Sequence, residues 1–192
     1  NQFSFYSSFF DDSISKNVNR TLRVLRARDL INEFINVIKP DIDKLNIKVR
    51  SEFYNIEIFL TPSHPSEWKS IFFNLYTNSK KAIKRASVEG KILILSGIEN
   101  DSVYFEFHDN GDGVPEEFSH RIFDAFFTTS NPAIFDADND YSGTGLGLKI
   151  VRDIIENRGG RIFLESPEKG YSTCFKIEMP IPTEKEIEEY GN

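Results

Sequence analysis

Asp109-Asn110-Gly111-Asp112-Gly113 closes an apolar run from Val103 to Phe107, and thirty residues later comes Gly143-Thr144-Gly145-Leu146-Gly147-Leu148. No other pattern in the chain limits its fold as sharply. A run of strand formers that ends on a carboxylate and two glycines predicts a strand leading into a tight turn. Glycine admits positive φ and close backbone approach, and a glycine-rich turn opening a helix offers free N–H groups to an anion. Two such clusters in this order predict a nucleotide pocket, with a carboxylate at one end and phosphate donors at the other.

Upstream, Trp68, Ile71, Phe72, Leu75, Ala82, Ile83 and Ala86 keep helical spacing, which predicts a helix over 65–88 with one face in a core. Pro65 suits its first position, His64 or Ser63 its cap, and Glu67 its first turn. Asn74, Asn78 and Lys81 recur at i, i+4 and i+7 and so share a second face. Amide oxygens are hard ligands suited to Mg²⁺, and an ammonium meets phosphate charge.

Four segments together identify a family. Asn74 to Ala82, Asp109-x-Gly111-x-Gly113, Phe123 to Thr129 and Gly143 to Leu148 resemble, in order, the N, G1, F and G2 boxes of sensor histidine kinases. Those kinases belong to a wider ATPase superfamily with gyrase, Hsp90 and MutL. The resemblance covers roughly Leu30 to Pro182, and Gly159 to Ile162 and Gly170 to Phe175 look like the family's last hairpin. It implies ATP and Mg²⁺ as cofactors, with Asn78 the metal ligand and Asn74 in support. Asn78 and Lys81 are the implied catalytic pair, Lys81 on the phosphates. Asp109 is implied to accept from the adenine amino group, with Thr173 nearby, because an ionised carboxylate only accepts. Gly111 and Gly113 would turn the chain under the base. Gly143, Thr144, Gly145, Leu146 and Gly147 would bring backbone N–H groups to the phosphates.

Several positions depart from the family's habit. His64 stands where Asp usually caps the helix, which favours Ser63 for that task. Ser79 replaces a small Ala, a mild change. Ala82 cannot stack on adenine as an aromatic would. Ser130 removes a lysine from the Phe-Phe-Thr-Thr segment, and Arg158 stands where a His often precedes Gly159-Gly160.

The chain has 192 residues, 39% of them hydrophobic, with 18 Phe, enough for one core and a short extra element. A net charge of −7 with scattered Lys and Arg excludes nucleic acid as a main partner, since phosphate tracking needs a basic stripe. The single Cys174 forbids an internal disulfide and suits a reducing cytoplasm. No apolar run reaches the roughly 18 residues of a membrane span. The first residue is Asn, so the chain is expected to be a fragment. Residues 1–28 read as a linker or the remnant of a preceding helical element, 29–182 as the ATP-binding domain, and 183–192 as an acidic tail.

Asp29 is expected to cap a helix through Lys39 that Pro40 ends. Strands are expected near 46–52, 55–60, 91–98, 102–109, 161–166 and 172–179, with a further helix at 146–158. The order predicts an α/β fold, a two-layer sandwich of a mixed β-sheet with helices on one face. The resemblance implies the same, a Bergerat-type ATP-binding fold. Ser130 to Ser142 would be the lid over the triphosphate. Within it Asp136 to Asp140 imitates the opening of a calcium loop, but Tyr141 and Gly147 stand where that loop needs Gly and Glu, so it reads as a solvated acidic loop.

Hydrolysing members of the superfamily carry a Glu one turn before the Mg²⁺ ligand, and here that residue is Asn74. An amide takes no proton at neutral pH, so transfer to an outside nucleophile is favoured over water attack. His64, His108 and His120 each lack the long helix and acidic neighbour of the family's phosphoacceptor, which places that histidine on another domain. The expected partners are a helical phosphoacceptor domain, a response regulator and a second copy joined through a segment outside this chain. An ATP-dependent switch and a clamp-type ATPase remain the alternatives.

Overall fold

The computed structural model describes residues 21–55, 57–127 and 145–191. Five strands form one mixed sheet, β2 (Lys48–Phe53), β4 (Lys91–Glu99), β5 (Ser102–Asp109), β6 (Arg161–Leu164) and β7 (Thr173–Pro180), in the order β2-β4-β5-β7-β6. Only β2 and β4 run parallel. A separate two-stranded ribbon pairs β1 (Arg23–Arg26) antiparallel with β3 (Phe59–Ser63). Helices α1 (Ala27–Leu45), α2 (Pro65–Ala86) and α3 (Gly147–Asn157) supply the second layer, and α4 (Glu184–Tyr190) ends the described chain. The α/β sandwich predicted above is the observed architecture.

The core lies between the helices and alternate residues of the sheet. From α2 come Trp68, Ile71, Phe72 and Leu75, from α1 Ile31, Phe34 and Ile38, and from the strands Ile92, Ile94, Phe105, Phe107 and Ile177, all buried. Trp68 meets Phe105 with ring centroids 5.0 Å apart, and Phe34 meets Phe72 at 5.4 Å. Aromatic pairs at such separations add to the burial of their area.

Three local expectations are corrected. α1 begins at Ala27 rather than behind Asp29, and it runs through Pro40 to Leu45, with Asn46 in the left-handed region at its end (φ 53°). Proline inside a helix removes one hydrogen bond and typically costs about 3 kcal/mol. Here Ile38, Asp41 and Ile42 are buried on both sides of it, and Asp41 Oδ2 accepts from Tyr76 Oη at 2.7 Å and Lys80 Nζ at 2.9 Å. Tertiary packing holds the helix past its breaker. Next, β3 is displaced to 59–63 and leaves the main sheet for β1, so from residue 23 the segment expected to be a linker is part of the fold. Finally, the acidic tail contains a helix: Thr183 caps α4, accepting from Glu186 N–H at 3.3 Å while Glu186 Oε2 accepts from Thr183 N–H at 2.8 Å.

Of the two residues expected to cap α2, His64 holds the N-cap position and the favoured Ser63 does not. Glu67 Oε2 accepts from the His64 backbone N–H at 2.9 Å, whereas Ser63 Oγ accepts from Trp68 Nε1 at 2.9 Å and does not cap. Among the described residues, no helix is long and apolar enough to cross a membrane.

Candidate functional site

β5 delivers Asp109 to the edge of the core, with only 2% of its surface exposed. Its Oδ2 accepts from Ser79 Oγ at 2.7 Å and its Oδ1 from the Gly111 N–H at 2.9 Å, and Thr173 pairs with it across the β5–β7 ladder. Burial pushes this carboxyl above the ordinary Asp range; Ser79, Gly111 and Thr173 oppose the rise, and the nearby charge of Asp112 adds to it. Burial wins because taking a carboxylate out of water outweighs what the donors return.

The turn after Asp109 is built from its own residues. Asn110 Oδ1 accepts from Lys91 N–H at 2.7 Å and its Nδ2 donates to Glu89 O at 2.8 Å, tying the turn to the start of β4. A Cβ on Gly111 would stand 2.5 Å from Ala82 Cβ and 2.8 Å from Ile83 N. Gly111 is thus required by its packing on α2, while Gly113 supplies positive φ (75°). Ala82, too small to stack on a base, is the residue that lets the turn come this close. Arg85 of α2 grips Asp112 with two bonds, at 2.6 and 2.9 Å.

On the other face of α2 the amides differ from each other. Asn74 Nδ2 donates to Ser70 O at 2.8 Å, and a Cβ on Gly147 would stand 2.8 Å from Asn74 Oδ1, so Asn74 lies against the start of α3. The Asn78 side chain is half-buried and has no hydrogen bond to another described residue. Lys81 lies half-buried one turn further on. Leu146 gives α3 no side-chain cap, and no acidic residue stands in its first turn. Its leading N–H groups are left for an anion. Gly145 (φ 68°) sits so close to Phe126 that a Cβ there would be 2.6 Å from the Phe126 carbonyl carbon, and Phe126 N–H donates to Gly145 O at 3.0 Å. Gly143, Thr144, Thr128, Thr129 and the lid region from Ser130 to Ser142, with its acidic run, lie outside the described residues.

Asp109 at the end of β5 and Thr173 at the start of β7 are paired neighbours, Gly111 packs on α2, and Asn74 of α2 lies against Gly147 of α3. Asn78 and Lys81 follow Asn74 along α2, and Gly113, Gly145 and Leu146 lie on the two glycine segments. The groups present fit a metal-bound nucleotide: an amide oxygen at Asn78 with no partner among the described residues, a buried acceptor at Asp109 and a helix start with no side-chain cap. Two contacts escaped sequence reasoning. Ser79, dismissed as a mild replacement, reaches Asp109. Arg158 Nη2 and Nε bond Glu67 at 2.8 and 3.1 Å, fastening the end of α3 to the start of α2. Both join residues far apart in the chain, which no local pattern signals.

The opposite face of the sheet carries a second polar cluster. His108 Nε2 lies 3.2 Å from Glu106 Oε2 and 3.7 Å from Cys174 Sγ, and Lys176 Nζ lies 3.2 Å from Glu106 Oε1. These three possible ligands stand close enough for one metal ion. However, the Glu168 N–H points at His108 Nδ1 at 3.4 Å, where a metal-bound imidazole needs an acceptor. Burial, with Glu106 and Glu165 close by, pushes the Cys174 thiol up, so it stays protonated. The cluster ties neighbouring strands together.

Residues 63–183 match the family model described as "Histidine kinase-, DNA gyrase B-, and HSP90-like ATPase". Sporulation kinase A of Bacillus subtilis (strain 168) is 31% identical over 163 residues, which is 84% of this chain and 24% of that protein. The chain thus spans about a quarter of that relative's length. The nucleotide-free catalytic domain of the histidine kinase ThkA superposes with a TM-score of 0.68 at 32% identity, covering 84% of this chain and 96% of that one. ThkA in complex with the response regulator protein TrrA gives a TM-score of 0.64 at 27% identity, covering 94% of this chain and 48% of that one. The fold and these matches agree: the chain belongs to the histidine kinase-, DNA gyrase B- and HSP90-like ATPase family, and its relatives there are the catalytic domains of sensor histidine kinases.

Proposed function

We propose that this domain binds Mg-ATP and passes the γ-phosphoryl group to a histidine on a separate phosphoacceptor domain of a two-component sensor kinase. The observation that carries the transfer is Asn74. One turn before Asn78, where a water-activating carboxylate would stand, there is a carboxamide whose Nδ2 is committed to Ser70 O and whose Oδ1 faces α3. Such a group accepts no proton, so positioning and charge neutralisation remain as the domain's means of catalysis. Asn78 would hold Mg²⁺, Lys81 and the start of α3 would hold the phosphates, and Asp109 would accept from the adenine amine. The metal supplies neutralisation of charge on the transferring group.

The relative bound to its response regulator supports a response regulator as the downstream partner. A second copy would join through a segment outside this chain, and use of ATP as donor fits a cytoplasmic domain. The test is to supply Mg-ATP with and without the histidine-bearing helical domain of the full-length protein. Phosphohistidine on that domain, with negligible phosphate release without it, is the expected result. Sustained phosphate release that Asn78→Ala abolishes would instead make this a clamp-type ATPase. Binding with neither outcome would make it an ATP-dependent switch.

A further inference from the structure

Ser79 is buried on α2, thirty positions before the carboxylate it bonds. An ionised carboxylate has about four acceptor sites on its two oxygens. At Asp109 the Gly111 N–H takes one on Oδ1 and Ser79 takes one on Oδ2. These donors come from the turn and from α2, so two separate elements fix the plane of the carboxylate. One acceptor site is left on each oxygen.

We propose that Ser79 is a positioning residue for base selection: its hydroxyl fixes Oδ2 of Asp109 so that the acceptor site left on that oxygen faces the 6-amino group of a purine nucleotide. The proposal rests on the reading of Asp109 as the adenine acceptor. Without the hydroxyl, Oδ2 loses its anchor to α2, and the carboxylate turns about Cβ–Cγ or recruits a water that an amine must displace. Ser79 stands one residue from Asn78 but does not serve the metal end of the site. Its influence is confined to the base.

The experiment compares two ligands on the whole chain by calorimetry: Mg-ATP and the Mg complex of purine riboside triphosphate, which has hydrogen in place of the 6-amino group. The unsubstituted protein prefers ATP. Ser79→Ala lowers ATP affinity roughly tenfold, the scale of one lost hydrogen bond to a charged group, and leaves the analogue unchanged. Ser79→Thr, which keeps a hydroxyl, recovers the preference. Ser79→Cys, close in size with a weak donor, falls between, and it reads the same contact should the alanine variant be unstable. Equal effects on both nucleotides, or none on either, mean the hydroxyl only packs, and the proposal falls while Asp109 keeps its role. If the unsubstituted protein does not distinguish the two nucleotides, the amine reading of Asp109 falls first and takes the proposal with it.

Discussion

A carboxylate as buried as Asp109 works against the fold that holds it. Burial holds its folded pKa above the ordinary Asp value of 3.8, so the folded state binds the proton more tightly than the unfolded chain does. Stability from this group is therefore full below 3.8 and is lost as pH rises through the folded value. Asp109→Asn removes that loss and keeps the residue's volume. We expect the nucleotide-free variant to melt above the unsubstituted protein at pH 7, with the gap closing as pH falls below the ordinary Asp range. The same change puts an N–H donor where adenine needs an acceptor, so preference for ATP over the analogue lacking the amine should disappear; a retained preference sinks the pocket assignment. Asn78 makes a different prediction, because its carboxamide has no hydrogen-bonding duty among the described residues. Asn78→Ala should leave the melting temperature nearly unchanged and weaken ATP binding in Mg²⁺ far more than in EDTA. Equal losses in both would remove the metal role.

At the scale of elements, Glu67 serves two structures at once, accepting from the His64 N–H at the start of α2 and from Arg158 at the end of α3. Both members of the ion pair are partly exposed, so their coupling should be about 1 kcal/mol in a double-mutant cycle. Glu67→Ala should cost about 2 kcal/mol in denaturant unfolding, since the cap is lost as well; equal costs for Glu67→Ala and Arg158→Ala would mean that the cap contributes nothing. α4 depends on its own cap. Thr183→Ala should speed hydrogen exchange of the amides in α4 by roughly fivefold to tenfold, an effect of about 1 kcal/mol, and spare those of β5. These elements also show what the sequence makes legible. α2 and β5 were readable because periodicity and turn residues agree with their tertiary roles. Pro40 misled because partners on α2, 35 and 39 positions away, hold Asp41 in a helix. In the tail, acidic composition hid Thr183 and Glu186, whose spacing is that of a capping box. The site glycines were legible as a set, but the packing of Gly111 on Ala82 and the bond from Ser79 to Asp109 join distant segments and became visible only in the fold.

The site draws on the whole molecule: Asn78 and Lys81 come from α2, Asp109 from the end of β5, Thr173 from β7, and Gly147 from α3. A ligand bridging these elements binds only the folded chain, so its binding free energy adds to global stability by mass action. At free Mg-ATP about 100 times its dissociation constant the gain is about 2.7 kcal/mol. For a domain of this size that corresponds to a rise in melting temperature of roughly 5 to 11 °C. Gly145 is the place to separate the two ends of the pocket. Its positive φ and its contact with Phe126 make Gly145→Ala strained at the phosphate end, while Asp109 stands at the end of β5, bonded to Ser79 and Gly111. Gly145→Ala should therefore lose most of the Mg-ATP shift yet keep whatever preference for the 6-amino group remains measurable. Asp109→Asn should do the reverse, melting higher without ligand, keeping most of the Mg-ATP shift and no longer telling the two nucleotides apart. If both variants lose affinity and selectivity together, the pocket responds as one unit, and the division into a base end and a phosphate end must be given up.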